Sequence, residues 1–177
     1  MADYVLEQRL DYRKRNNRPW FAGTIALLFR GIGTTWIEES HAGVRLLAED
    51  ERSLRRLVNR IHAYLPGVFI TSPVAVRYRG TYPDLDEPVM AISVVVPQSF
   101  DHDVRRILAL RRAQYIGASF RSTYRVIYAQ APLSVALGMD EEVEALTDGL
   151  GLVGMRLSHY RPAELEQCPP VAPVRRA

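Results

Sequence analysis

The residues best suited to chemistry lie near the N-terminus. Arg9, Arg13, Lys14, Arg15 and Arg18 place five cations within ten residues, with Asn16 and Asn17 among them and Trp20 just beyond. Guanidinium groups clamp phosphates bidentately and an indole offers a stacking face, so this set suits RNA contact. The competing reading is a solvated, charged hairpin. A second set, Arg52, Arg55, Arg56 and Arg60, shares one helix face. Glu49, Asp50 and Glu51 adjoin it, and a solvated face is expected there.

No catalytic constellation is expected. His41, His62, His102 and His159 are scattered along the chain, and Asp101 and Asp103 around His102 suit a helix start, where carboxylates meet the positive end of the dipole. The lone Cys168 cannot build a disulfide or a metal cage, and no metal or cofactor is expected. Gly31-Ile-Gly-Thr-Thr35 comes nearest to the phosphate loop GxxxxGK[ST] but lacks its lysine, and reads as a turn ending a strand. Gly149-Leu-Gly151 could be the Gly-rich turn of an RNA endonuclease, which is the enzymatic alternative.

Composition sets the frame for these residues. Hydrophobic residues at 47% and charged residues at 24% are ordinary for a globular protein with a buried core. Net charge is +3, and of the 23 basic residues only Lys14 is lysine. That bias fits RNA contact, although a GC-rich coding sequence is the simpler cause. No stretch approaches the roughly 18 apolar residues of a membrane helix, so no membrane partner is expected. Met1-Ala-Asp-Tyr4 carries no basic region followed by an apolar run, and a cytoplasmic location is expected.

The elements that must position these residues begin with a strand around Tyr4, Leu6 and Leu10, the cationic turn 13–19, and a buried strand from Trp20 to Phe29. Thr34 to Ile37 adds a short strand. From Asp50 to Leu65, Leu54, Leu57, Val58, Ile61 and Leu65 follow helical spacing, and Pro66-Gly67 stops the helix. Val68 to Tyr78 reads as a strand and Arg79 to Glu87 as a loop, where a domain boundary is placed. Beyond it come a strand at Val89–Val96, apolar enough to be covered on both faces, and a helix at Phe100–Arg112 with an Arg-rich last turn. A hairpin of Tyr115–Phe120 and Thr123–Ala129 follows, then a helix at Leu133–Leu146 interrupted near Gly138, and a strand at Leu152–Tyr160. This βαββαβ order is the ferredoxin-like split unit. The expected fold class is α+β, with domains at 1–83 and 84–164 and a Pro-rich flexible tail at 165–177.

Glu87-Pro-Val-Met90 and Val94-Val-Val-Pro97, followed by Pro132-Leu-Ser134, Gly138, Leu146-Thr147, Gly149, Gly151, Met155 and His159-Tyr160, resemble the C-terminal domain of elongation factor G in order and approximate spacing. The resemblance implies a ferredoxin-like domain without the GTPase domain that drives the translocase. The first half is more faintly similar to the preceding tip domain and to the ribosomal protection proteins that release tetracycline. That similarity rests on Arg18-Pro-Trp-Phe-Ala-Gly-Thr-Ile-Ala-Leu27, Gly43 with the helix up to Leu65, Pro73-Val-Ala-Val76 and Gly80-Thr-Tyr82. It implies a shortened left-handed βαβ fold whose cationic turn lies at a tip that reaches the decoding centre.

The leading expectation is therefore a non-enzymatic ribosome- or RNA-associated protein that modulates translation or protects the ribosome. The alternative is a repurposed ferredoxin-like scaffold that binds a protein, a small ligand or a second copy through a sheet edge. Since no phosphate loop is present, calorimetry with GTP and magnesium should give no binding; micromolar affinity would contradict this.

Overall fold

The computed structural model describes residues 3–13, 25, 34–40 and 42–164. Two antiparallel sheets follow one another along the chain. In the first, β1 (Leu6–Tyr12) pairs with β3 (Gly43–Ala48) on one side, and with β4 (Phe69–Thr71) and β5 (Ala75–Val76) on the other. The strand β2 (Thr35–Glu39) lies outside β3. Leu6, Leu10, Leu46 and Ala48 share one buried face, on which α1 (Glu51–Tyr64) lays Leu54, Leu57, Val58 and Ile61. Asp50 caps α1, its carboxylate accepting from Ser53 N at 2.8 Å. The helix forms where its spacing predicts.

The second sheet is built from β7 (Asp84–Pro97), β8 (Gln114–Arg121), β9 (Tyr124–Pro132) and β10 (Leu152–Pro162), in the order β10-β7-β9-β8. Between β7 and β8 runs α2 (Asp101–Leu110), and between β9 and β10 run α3 (Leu133–Ala136) and α4 (Met139–Leu146). This is the expected ferredoxin-like βαββαβ unit, with the sheet ordered fourth, first, third, second. Gly138, at φ +76°, makes the left-handed break between α3 and α4 that a side chain would strain.

Several expectations are corrected. β7 is not covered on both faces: Met90, Ile92, Val94 and Val96 are buried, while Ala91, Ser93 and Val95 alternate with them on a partly open face. The stretch 79–87 is not a loop, since β6 (Arg79–Thr81) pairs with the first residues of β7 and lengthens the second sheet. The strand expected from Val68 to Tyr78 is split into β4 and β5 around Pro73, which has no N–H to donate to a ladder. Gly43–Ala48, unassigned from sequence, is a central strand.

α2 stops at Leu110, so its last turn holds no arginine. Instead, Arg111 reaches the short helix α3 and donates to the carbonyls of Val135 at 2.8 Å and Leu137 at 2.6 Å. It thereby satisfies acceptors that a helix end leaves unpaired.

In the first half every described pairing is antiparallel, and β3, α1 and β4 form a split βαβ unit in which β3 and β4 run parallel on either side of β1. Its main strands follow the order β4-β1-β3-β2, the same permutation as the second sheet. Of the strand expected from Trp20 to Phe29 only Ile25 is described, and it is helical and fully buried; the rest of that segment and the turn before it lie outside the described residues, while both sides of β1 are occupied by other strands. A short apolar run fits a buried helix as well as a buried strand, and periodicity alone does not separate them.

Two joints bind the halves together. At the first, Arg52 on α1 forms two hydrogen bonds with the buried Asp140 on α4, at 2.6 and 3.3 Å. Beside it, Glu51 accepts from Gly138 N at 2.9 Å, and Arg55 pairs with Glu141 at 3.1 Å. At the second, Arg79 pairs with Asp3 and lies 3.7 Å over the ring of Tyr160. Arg52 and Arg55 therefore do not belong to a solvated face, while Arg56 and Arg60 are exposed.

The hydrogen bond to Asp140 holds the Arg52 guanidinium above its ordinary pKa. Arg52→Ala should lower stability by about 1–2 kcal/mol, less than for a fully buried pair because Arg52 is 38% exposed. Arg56→Ala should stay within about 0.5 kcal/mol. Equal thermal midpoints for the two variants would contradict the joint.

Candidate nucleic-acid interface

The cationic turn leaves the first sheet from a firmly held strand end. Tyr12 N donates to Ala42 O at 3.0 Å and Arg13 N to Val68 O at 2.9 Å. The Tyr12 ring sits 5.2 Å from that of Phe69, tilted by 32°. Burial, with a smaller push from Glu39, raises the Tyr12 phenol pKa. The chain is met again at Thr34, whose hydroxyl bonds to Asp50 and Ser53 at the start of α1.

Of the expected contact residues, Arg9 and Arg13 are described; Lys14, Arg15, Asn16, Asn17, Arg18 and Trp20 lie outside the described residues, as do Cys168 and His41. Arg13 is exposed just past the end of β1. Arg9 lies on the face of the first sheet opposite α1, directly across from Arg45. There Glu7 stands 3.9 Å from each of the two arginines, and Glu38 pairs with Arg45 at 3.2 Å. A shallow hollow of about 300 Å³ beside Arg9 is lined by Asp11, Glu38 and Glu39 as well as Arg45. Acidic neighbours therefore offset the charge of Arg9, which is less suited to phosphate than Arg13.

The other chemical candidates resolve into local structure. Gly149 N donates to Glu144 O at 2.8 Å, and Gly151 N to Thr147 Oγ1 at 2.7 Å. The Gly149-Leu-Gly151 turn thus ends α4, with those amides engaged in the turn rather than free to cradle phosphate. His62 contacts Thr71 Oγ1 at 2.7 Å, and His159 contacts Ser158 Oγ at 3.2 Å. Among the described residues no three His, Cys, Asp or Glu side chains gather as metal ligands, and no helix is long and apolar enough to cross a membrane.

A surface that the linear sequence did not point to lies on the second sheet. The face of β9 turned away from the helices carries Tyr124 and Tyr128, exposed by 45% and 41%. Tyr128 stands across from Ser93 of β7, which in turn faces Gly154 of β10. These small neighbours leave a depression of about 390 Å³ walled by Tyr128 and Arg156. Tyrosines four residues apart lie on one strand face. Finding them in the sequence required knowing which face the helices cover.

The second half thus defines a ferredoxin-like α+β domain with one sheet face left open by its helices. Residues 84–168 match the family model described as the elongation factor G C-terminus. Elongation factor G 1 of Desulfotalea psychrophila (strain LSv54 / DSM 12343) is 33% identical over 85 residues, which is 48% of this chain and 12% of that protein. The resemblance noted from Glu87 to Tyr160 is therefore that of an elongation factor G C-terminal domain, and the chain spans a small part of that relative's length.

Proposed function

We propose that the protein is a non-enzymatic, ribosome- or RNA-associated factor that modulates translation or protects the ribosome from an inhibitor. The observation that carries this reading is the match of residues 84–168 to a translocase C-terminal domain, on a chain with no phosphate-loop motif. Within this proposal, residues 1–83 and 84–164 act as two domains and 165–177 as a flexible tail. The two joints hold the domains in one orientation, so that the cationic stretch from Arg13 to Trp20 is presented by a fixed body.

One observation favours a second reading, a scaffold for a protein partner or a second copy. β8 is an outer strand of its sheet, and Ile116 and Phe120 on it are 57% and 63% exposed. An outer strand with apolar side chains is a template for strand addition.

Co-sedimentation with ribosomes over a salt series separates the two readings. The full chain should pellet with ribosomes and be released steeply as salt rises. Replacing Arg13, Lys14, Arg15 and Arg18 by Ala should weaken binding and flatten the salt slope by about 0.7 to 0.9 for each phosphate no longer neutralised. Arg56→Ala, Arg60→Ala and Arg106→Ala together serve as a control on exposed cations outside the turn. Equal losses per charge would reduce the turn to nonspecific attraction. A wild-type chain that stays in the supernatant and runs as a dimer would favour the scaffold.

A further inference from the structure

We propose that the helix-free face of the second sheet is a platform for single-stranded RNA, with one base stacked on Tyr128 and another on Tyr124. This inference rests on the ribosome- or RNA-associated reading and assigns it a second contact surface, separate from the cationic turn.

The argument begins with the strand faces. From Ala91 to Pro97 of β7, and at the positions paired with it on β9 and β10, side chains alternate between the helix-covered core and the opposite face. Ile127 and Ala129 lie in the core, so Tyr124, Val126 and Tyr128 occupy the opposite face of the same strand. The two tyrosines are about 13 Å apart along the strand. The two side chains are 45% and 41% exposed. The phenol of Tyr128 has one described contact, with Ser119 Oγ at 3.5 Å, which leaves the ring face open.

Charge on this face has one sign. Arg121 stands directly across from Tyr124 on the neighbouring strand, and Arg156 walls the depression beside Tyr128. Both are exposed, and neither forms an ion pair among the described residues. No Asp or Glu occupies this face between Ala91 and Pro97 or at the positions paired with them. Some surface arginines have carboxylate partners, as Arg45 has Glu38 and Arg111 has Glu142, whereas Arg56, Arg60 and Arg106 have no ion pair among the described residues but lie away from this face. Each aromatic ring thus has its own free guanidinium close by, an arrangement suited to a base on the ring and its phosphate on the cation.

The floor of the depression favours a flat ligand. Ala91, Ser93 and Gly154 form it, and a side chain at Gly154 would begin 2.9 Å from Ser93 Oγ. Its volume of about 390 Å³ lies in the range of small-ligand sites. An open four-stranded sheet with aromatics on a central strand is a surface on which unpaired bases splay and stack. A duplex hides its bases, so the occupant is a single strand.

The test is fluorescence anisotropy of a labelled ten-nucleotide single-stranded RNA titrated with the full chain, alongside ribosome pelleting. The wild type should bind the oligonucleotide, and Tyr128→Ala should weaken binding about 5- to 150-fold, the range for removing one stacked base. Tyr128→Phe keeps the ring and should stay within about twofold, and Arg156→Ala should reduce the salt dependence. Thermal midpoints of the variants should match wild type, since Tyr128 is 41% exposed. The platform is overturned if Tyr128→Ala binds like wild type, or if Tyr128→Phe weakens binding as much as Tyr128→Ala. It is also overturned if the Tyr128 variants change only self-association, which would make the face a protein interface. Pelleting with ribosomes but no oligonucleotide binding removes this site and leaves the ribosome reading standing. Failure of both removes both.

Discussion

The contact between Arg52 and Asp140 ties together the two halves of a chain whose buried apolar residues already form one cluster. It joins the first turn of α1 to the first turn of α4, and the amide of Gly138 bonds to Glu51 beside it. Asp140 is buried, so without the guanidinium it would be a carboxylate out of water with its strongest partner gone. The second joint, Arg79 with Asp3 and over Tyr160, fixes the other side. There burial raises the Tyr160 phenol pKa, against the opposing pull of Arg79. Both joints tie the first sheet's half to the second, which on the proposed reading lets surfaces on different halves meet one partner together.

That constraint gives the two contact surfaces their meaning. The cationic stretch departs from β1 in the first half, and the tyrosine face belongs to the second. On the proposed reading each alone would be a modest RNA site: a few phosphate contacts in one case, and about 1–3 kcal/mol per stacked base in the other. Held in fixed relation, they add without a second loss of translational freedom, the usual advantage of linked sites. The main strands of the two sheets follow the same order, so one architecture is used twice.

Much of this was legible in the sequence, and the rest was hidden for identifiable reasons. The spacing of Leu54, Leu57, Val58 and Ile61 located α1, because a helix pattern is local. The βαββαβ order and the domain resemblance were also visible. Ile25, expected in a strand, is helical, because a short apolar run fits a buried helix as well as a buried strand. The strand Gly43–Ala48 was missed because both of its faces are largely buried, which removes the alternation that marks a strand. The pairing of Arg52 with Asp140 spans 88 residues, and a sequence gives no register across such a distance. Tyr124 and Tyr128 looked like ordinary strand aromatics until the covered face was known.

Ultraviolet cross-linking of the full chain to ribosomes, with the modified residues mapped by mass spectrometry, tests the two-surface account most directly. The account predicts ribosomal RNA adducts both within residues 13–20 and at Tyr124 or Tyr128, the two sets weakening together when Arg52→Ala loosens the joint. A pelleted chain with no adduct at either surface, or with adducts confined to the exposed Arg56 and Arg60 side of α1, would contradict it.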